Sequence, residues 1–286
     1  MALRVAVIAE GDHLDRDGLL AFVRRIETLG YESFWIPELF GREPVATAGW
    51  LLGRTERISI ATGIANVYVR DPHAMALTRR TLAELSDGRF LLGLGVSNPG
   101  LNQSRGHIWE APLPKMRGYL EAMAKATMTA PEPQHPAPLH IAAHGPGLQR
   151  LGAEQADGII TYLMPPEHTV SSRARIGTAA SLSVVCPFLA EDDPDTARRK
   201  ARKGLRYYLT LDYYHREWQK LGFDGADFKD GGSDRLIDTL VAWGDEAALR
   251  KRVAAYEAAG ADRVIVMPFD GNRTDGGDSL SLLAPG

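Results

Sequence analysis

Short apolar, β-branched runs alternate along this chain with longer stretches whose apolar residues recur at helical spacing. The stretch 15–29 puts Leu19, Leu20, Phe22, Val23, Ile26 and Leu29 on one helical face. Five times a helical pattern ends in a small or charged turn and a strand-like run follows at once, at 24–38, 51–63, 82–95, 150–163 and 256–269. Gly, Asp or a charged pair at each turn suits a helix C-cap and a tight connection into a strand. Three further runs, 3–9, 138–143 and 181–189, complete a set of eight strands. They are continuous more than alternating, as in a parallel sheet covered on both faces. Eight such units predict an α/β fold, a (β/α)8 TIM barrel formed as a single domain over 1–270. A doubly wound open sheet is the alternative.

The spacing is uneven late in the chain. The segment 191–240 is too long for one barrel helix and predicts a helical insertion. Within it, the basic run from Arg198 to Arg206 reads as a solvated face, and Tyr207, Tyr208, Tyr213, Tyr214 and Trp218 read as packing. The Pro-rich 129–138 stretch is a connector, and the polar, Gly-rich tail 271–286 is expected to fray.

Composition narrows the function classes. The 286 residues are 44% hydrophobic and 24% charged, enough for one large core. A net charge of −3 gives no electrostatic case for a nucleic-acid partner. The single cysteine, Cys186, excludes an internal disulfide and a Cys-rich zinc site, and its strand context reads as core. No stretch approaches the roughly 20 apolar residues of a membrane span. The first apolar run, cut short by Glu10 and Asp12, is too brief for a secretory signal. The expectation is a cytoplasmic protein with no membrane partner.

In a barrel, chemistry sits at the C-terminal ends of the strands. After the first strand come Glu10, Asp12 and His13; after the second, Pro37, Glu38 and Leu39. The third is followed by an unusual stretch, "ATGIANVYVRDPHAMA" at 61–76, and the fourth by "GLGVSNPG" at 93–100. The latter is not a dinucleotide fingerprint, because Asn98 replaces the third glycine and Pro99 interrupts the turn. Gly93 and Gly95 instead allow close backbone approach, compatible with a flat ring. "HGPG" at 144–147 reads either as an anion site at a helix start or as a plain helix N-terminus. Glu38 is either an acid–base group or an ion-pair partner. No H-E-x-x-H, G-x-S-x-G or P-loop pattern occurs, and no metal site is expected. The polar, mostly neutral groups suit a redox ring better than acid–base hydrolysis.

These residues carry a family resemblance. "TERISIATGIANVYVRDPHAMALTRRTLAELSDGRFLLGLGVS" at 55–97 resembles the bacterial luciferase-like monooxygenase family, in particular its coenzyme F420-dependent oxidoreductase branch. "IAAHGPGLQRLGAEQADGIITYL" and "GDEAALRKRVAAYEAAGADRVIVMPF" resemble its later segments, so the likeness spans nearly the whole chain. It implies a (β/α)8 barrel with an insertion, commonly a homodimer. It places a cis non-proline peptide at Gly63-Ile64, backing the cofactor ring, with Ala65 and Asn66 at the ring edge. Ser97 and Asn98 would also touch the cofactor, and His144, Gly145, Pro146 and Gly147 would take its phosphate. Glu38 matches an acidic cofactor contact and, with Asn98, is the candidate catalytic pair. Two departures stand out: Leu39 occupies a position where some relatives carry a histidine, and Asn98 one where some carry a glutamate. An amide cannot give up a proton, so Glu38, His13 or water would have to supply one.

The resemblance implies F420-dependent hydride transfer to or from a small organic substrate. The alternatives are an FMN-dependent two-component monooxygenase, which would need a partner reductase, and a flavin-binding barrel without catalysis.

Overall fold

The computed structural model describes residues 3–269 and 277–285. Ten parallel strands form one sheet: β1 (Arg4–Ile8), β2 (Ser33–Ile36), β3 (Ser59–Thr62), β4 (Ala65–Asn66), β5 (Phe90–Gly95), β6 (Leu139–Ala142), β7 (Gly158–Tyr162), β8 (Ser181–Leu189), β9 (Ala242–Trp243) and β10 (Arg263–Pro268). β10 pairs with β8 on one side and with β1 on the other, so eight strands close into a TIM barrel. These are the eight strands predicted from the sequence. β4 and β9 are two-residue additions at the C-terminal rim.

Strand period explains why the runs are apolar throughout. One face of each strand turns inward, where Ala6, Ile8, Trp35, Ala61, Leu91, Ile160, Val185 and Ile265 form a packed interior. The other face, with Val7, Phe34, Ile60, Leu92, Ile141 and Val264, packs beneath the helices. Cys186 belongs to this outer layer, and burial pushes its thiol up to about 12, so it is inert packing at neutral pH.

The N-terminal end of the barrel is sealed by a buried polar network. Arg263 donates to Glu32 at 2.7 and 3.0 Å and to Ser183 Oγ at 3.0 Å. Ser183 Oγ lies 3.3 Å from His140 Nδ1, and Trp35 Nε1 donates to Ser33 Oγ at 2.9 Å. Each charge is paired, as burial requires.

At the opposite end the third strand breaks. β3 stops at Thr62, whose hydroxyl donates to the Gly93 carbonyl at 2.7 Å and accepts the Gly93 N–H at 3.0 Å. A side chain thus replaces the ladder just where the backbone leaves it. Gly93 is obligatory there, because a Cβ would fall 2.1 Å from the Thr62 carbonyl oxygen. The chain then rejoins β5 as β4, pairing Ala65 with Leu94 and Asn66 with Gly95.

Between β8 and β10 lie helices Pro194–Leu205, Asp212–Gln219 and Asp234–Leu240, within the 191–240 segment read as an insertion. Their apolar faces share a second core with Leu163, Met164, Leu189 and Phe269 of the barrel rim. Part of the basic run is not simply solvated: Arg198 pairs with Asp238 and Arg202 with Asp234, tying two of these helices together. Of the expected tail, 270–276 and 286 lie outside the described residues. Gly277–Leu282 is helical; Leu280 and Leu283 are buried, and Tyr31 donates to the Leu280 carbonyl at 2.6 Å. Over these residues the tail is docked, not frayed. No helix among the described residues is long and apolar enough to cross a membrane.

Candidate functional site

A cavity of about 760 Å³ opens at the C-terminal end of the barrel, above Ile8, Trp35 and Ile160. Of the residues singled out from the sequence, Glu38, Gly63, Ile64, Ser97, Asn98, His144 and Gly145 line it. Ala65, Asn66, Pro146 and Gly147 do not.

The floor is the break after β3. The Gly63–Ile64 peptide is cis, as the family resemblance implied. Ile64 lies over Gly95, where a Cβ would come within 2.5 Å of it. The bare face of Gly63 points at protein: a Cβ there would meet Ile8 at 3.0 Å and Trp35 at 3.3 Å. A larger residue at Gly63 would therefore strain the barrel interior before it reached a ligand.

Glu38 braces this floor. Its Oε2 accepts the Asn66 N–H at 2.7 Å and Arg70 Nη1 at 2.9 Å, and its Oε1 lies 3.7 Å from Arg105 Nη1. The side chain is only 6% exposed. A carboxylate whose oxygens are committed to three partners this way acts as an anchor. Asn66 is wholly buried; its amide donates to Asn102 Oδ1 at 2.8 Å and accepts the Tyr68 N–H at 3.0 Å. Asn102 in turn donates to the carbonyls of Val96 and Asn98. The side chain expected at a ring edge thus locks two loops together instead.

Ser97 has a left-handed backbone, φ 59°, which re-aims the chain leaving β5. Asn98 follows as the N-cap of helix Pro99–Ser104, its Oδ1 accepting Leu101 N–H at 2.9 Å and Tyr207 OH at 2.8 Å. Its oxygen is committed to structure.

The "HGPG" turn forms the far wall. Helix Pro146–Gln155 starts at Gly145 with no side-chain cap, unlike the helices capped by Asp15, Asp71, Asp193 and Asp245. Pro146 brings no N–H, so the donors without an intrahelical partner at this start are those of Gly147 and Leu148, of which Leu148 lines the cavity. The His144 carbonyl is fixed from below by Gln149 Nε2 at 2.9 Å and His168 Nε2 at 3.0 Å. Since a carbonyl only accepts, His168 carries its proton on Nε2. Burial, with His168 nearby, pushes His144 down to about 3, so it is neutral at physiological pH. Its Nδ1 is buried without a partner.

The remaining wall was read from sequence only as packing. Tyr214 and Trp218 do pack in the second core, but Tyr208, Tyr213 and Tyr214 also line the cavity with Tyr162. Trp109, stacked on Tyr68 at 5.8 Å, comes from the 105–111 loop. A second-half contact had no sequence signal: Glu217 Oε1 lies 3.3 Å from where a Cβ on Gly145 would sit. Lys220 donates to both Glu217 oxygens at 2.7 and 2.8 Å. Among the described residues, no cluster of three His, Cys, Asp or Glu is placed to hold a metal ion.

Comparison with known proteins agrees with this architecture. The model of the luciferase-like monooxygenase family matches residues 5–263. A Mycobacterium tuberculosis protein named as a coenzyme F420-dependent oxidoreductase is 24% identical, over 85% of this chain and 88% of its own. An F420-dependent secondary alcohol dehydrogenase, solved with an F420–acetone adduct, superposes with a TM-score of 0.76 at 16% identity, covering 100% of this chain and 98% of its own. The FMN-bound oxygenating component of a diketocamphane monooxygenase from Pseudomonas putida gives 0.65 at 16% identity, covering 99% and 97%. At these identities the structural likeness is one of fold.

Proposed function

This chain belongs to the luciferase-like monooxygenase family, a family of oxidoreductases, and from that premise we propose that it exchanges a hydride between coenzyme F420 and a small organic substrate. The observation that carries this reading is the continuity of the cavity. One space joins the floor at Gly63 and Ile64 to the uncapped helix start at Gly145. A floor lined by Ile8, Trp35, Ile64 and Ile160 suits an apolar ring, and N–H groups at a helix start suit a phosphate. The residues present therefore fit a deazaflavin.

Bound there, the cofactor would supply the hydride chemistry, and the protein the binding and electrostatics. Gly63, Ile64, Ser97 and Asn98 would lie against the ring, and Gly145 at the phosphate end. Glu38 acts from below as a positioning residue, holding the Asn66 N–H and Arg70. His144 stays neutral, so it places no charge beside the proposed phosphate end. Burial holds the Tyr213 and Tyr214 phenols well above their ordinary range, so both remain protonated.

The fold likeness to an FMN-bound monooxygenase favours a second reading, a two-component oxygenase served by a separate reductase. Parallel fluorescence titrations with F420 and with FMN decide between them. Saturable binding of F420 alone is the expected result. Binding of FMN alone would replace the first reading with the second, and a folded protein that binds neither would end both.

A further inference from the structure

Charge inventory and ring packing together describe what the rest of the cavity accepts. Among the described lining residues the charged groups are Glu10, Glu38, Asp212, Glu217 and one cation, Arg216. Arg216 is solvent-exposed. Away from the Gly145 turn, which the proposed cofactor phosphate would occupy, a substrate phosphate or carboxylate would find no buried cation among the described lining residues, where sites for such groups commonly use Arg or Lys. A cationic substrate fares little better, because Glu38 is already paired with Arg70 and Glu217 with Lys220.

The aromatic wall is preformed. Tyr213 and Tyr214 lie 4.6 Å apart between ring centroids, Tyr162 and Tyr208 meet edge-on at 5.2 Å, and Tyr208 and Tyr214 cross at 90° and 5.7 Å. These are favourable ring geometries. Each ring is held by its neighbours, so a ligand need not order them on binding. Leu39, Leu211, Met267 and Phe269 extend the apolar lining.

We infer that the space above the proposed cofactor floor takes an uncharged, ring-bearing apolar substrate and rejects anionic ones, sugar phosphates among them. This rests on the F420 reading for the identity of the cofactor, not for the character of the wall.

The test uses probes that share one ring and differ in charge: acetophenone, benzoate and phenyl phosphate. Calorimetric titrations are run on the F420-loaded protein and again on cofactor-free protein, with F420 binding followed separately by its fluorescence. Acetophenone should saturate, with benzoate and phenyl phosphate at least about tenfold weaker. Tyr208→Ala should weaken acetophenone by about tenfold while F420 affinity holds, and Tyr208→Phe should restore it. If the first variant does not fold, Trp109→Ala, on a separate loop, makes the same test. Benzoate or phenyl phosphate binding as tightly as acetophenone would overturn the inference, as would acetophenone binding untouched by loss of the rings. Failure of F420 to bind would overturn the cofactor reading alone, because the cofactor-free titrations still decide the character of the wall.

Discussion

Glu38 accepts the backbone N–H of Asn66 at 2.7 Å, so a carboxylate at the end of the second strand holds the break that ends the third. The same carboxylate neutralises Arg70, whose side chain is only 15% exposed. Arg70 also pairs with Glu43, so removing the Glu38 charge leaves a largely buried guanidinium with one carboxylate where it had two.

Glu38→Gln should therefore lower stability by about 2 kcal/mol, the worth of hydrogen bonds to a charged group when a second carboxylate, Glu43, remains on Arg70. Urea unfolding reads this directly. Cofactor affinity should fall with it, because the floor at Gly63 and Ile64 rests on Asn66. Unchanged stability with lost turnover would instead make Glu38 a catalytic group.

Asn98 yields to a similar comparison. Its Oδ1 caps helix Pro99–Ser104, so Asn98→Ala should cost about 1 kcal/mol. Asn98→Asp keeps an oxygen for Leu101 N–H and should retain stability. Equal activity in wild type and the Asp variant would confine Asn98 to capping; a large change in activity at constant stability would return it to the chemistry.

These two residues mark where sequence reading succeeds and stops. The barrel was legible because strands buried on both faces must be continuous apolar runs, and the β-branched runs of this chain are those strands. Positions at the strand ends were legible too: Glu38, Gly63, Ile64, Ser97 and Asn98, each singled out for its place after a strand, line one cavity. What those side chains hold was not. Asn66 turns to Asn102, 36 residues away, and Asn98 to Tyr207, 109 residues away. Such partners depend on loop conformations that no local pattern encodes. The tyrosines of the insertion had a packing period, and it took the fold to show that the same rings also face the cavity.

Stability should also depend on pH through the polar network that seals the N-terminal end of the barrel. Burial, with Arg263 nearby, holds His140 down at about 3 from its ordinary 6.5. The unfolded chain binds that proton more readily than the folded one, so stability is full above about 6.5 and is lost as pH falls toward about 3. Over that window one such histidine loses about 1.4 kcal/mol per pH unit. His144 and His168 are lowered by burial as well and act in the same direction. Glu32 is also held low, but its stabilisation is lost only below its ordinary 4.5. Urea unfolding at about pH 7 and about pH 5 should differ by at least about 2 kcal/mol, and His140→Gln should reduce the difference. A flat profile would mean that His140 charges without disturbing the fold.

Glu217 offers the sharpest test of where a cofactor phosphate sits. Its Oε1 faces Gly145 at the start of the uncapped helix, which is where the proposed anion would meet open N–H groups. Lys220 offsets the carboxylate with two hydrogen bonds, yet Lys220 is mostly exposed and Glu217 is not. The net field at the turn therefore still carries the carboxylate's sign. Glu217→Gln should tighten F420 binding by about fivefold, on the order of 1 kcal/mol for one partly screened charge at close range. Lys220→Ala, which unmasks the carboxylate, should act in the opposite direction. Both effects should shrink as salt is raised, because the groups lie near the surface. Weaker binding in Glu217→Gln, with no salt dependence, would place the phosphate away from Gly145 and make Glu217 a hydrogen-bond acceptor for an uncharged part of the ligand.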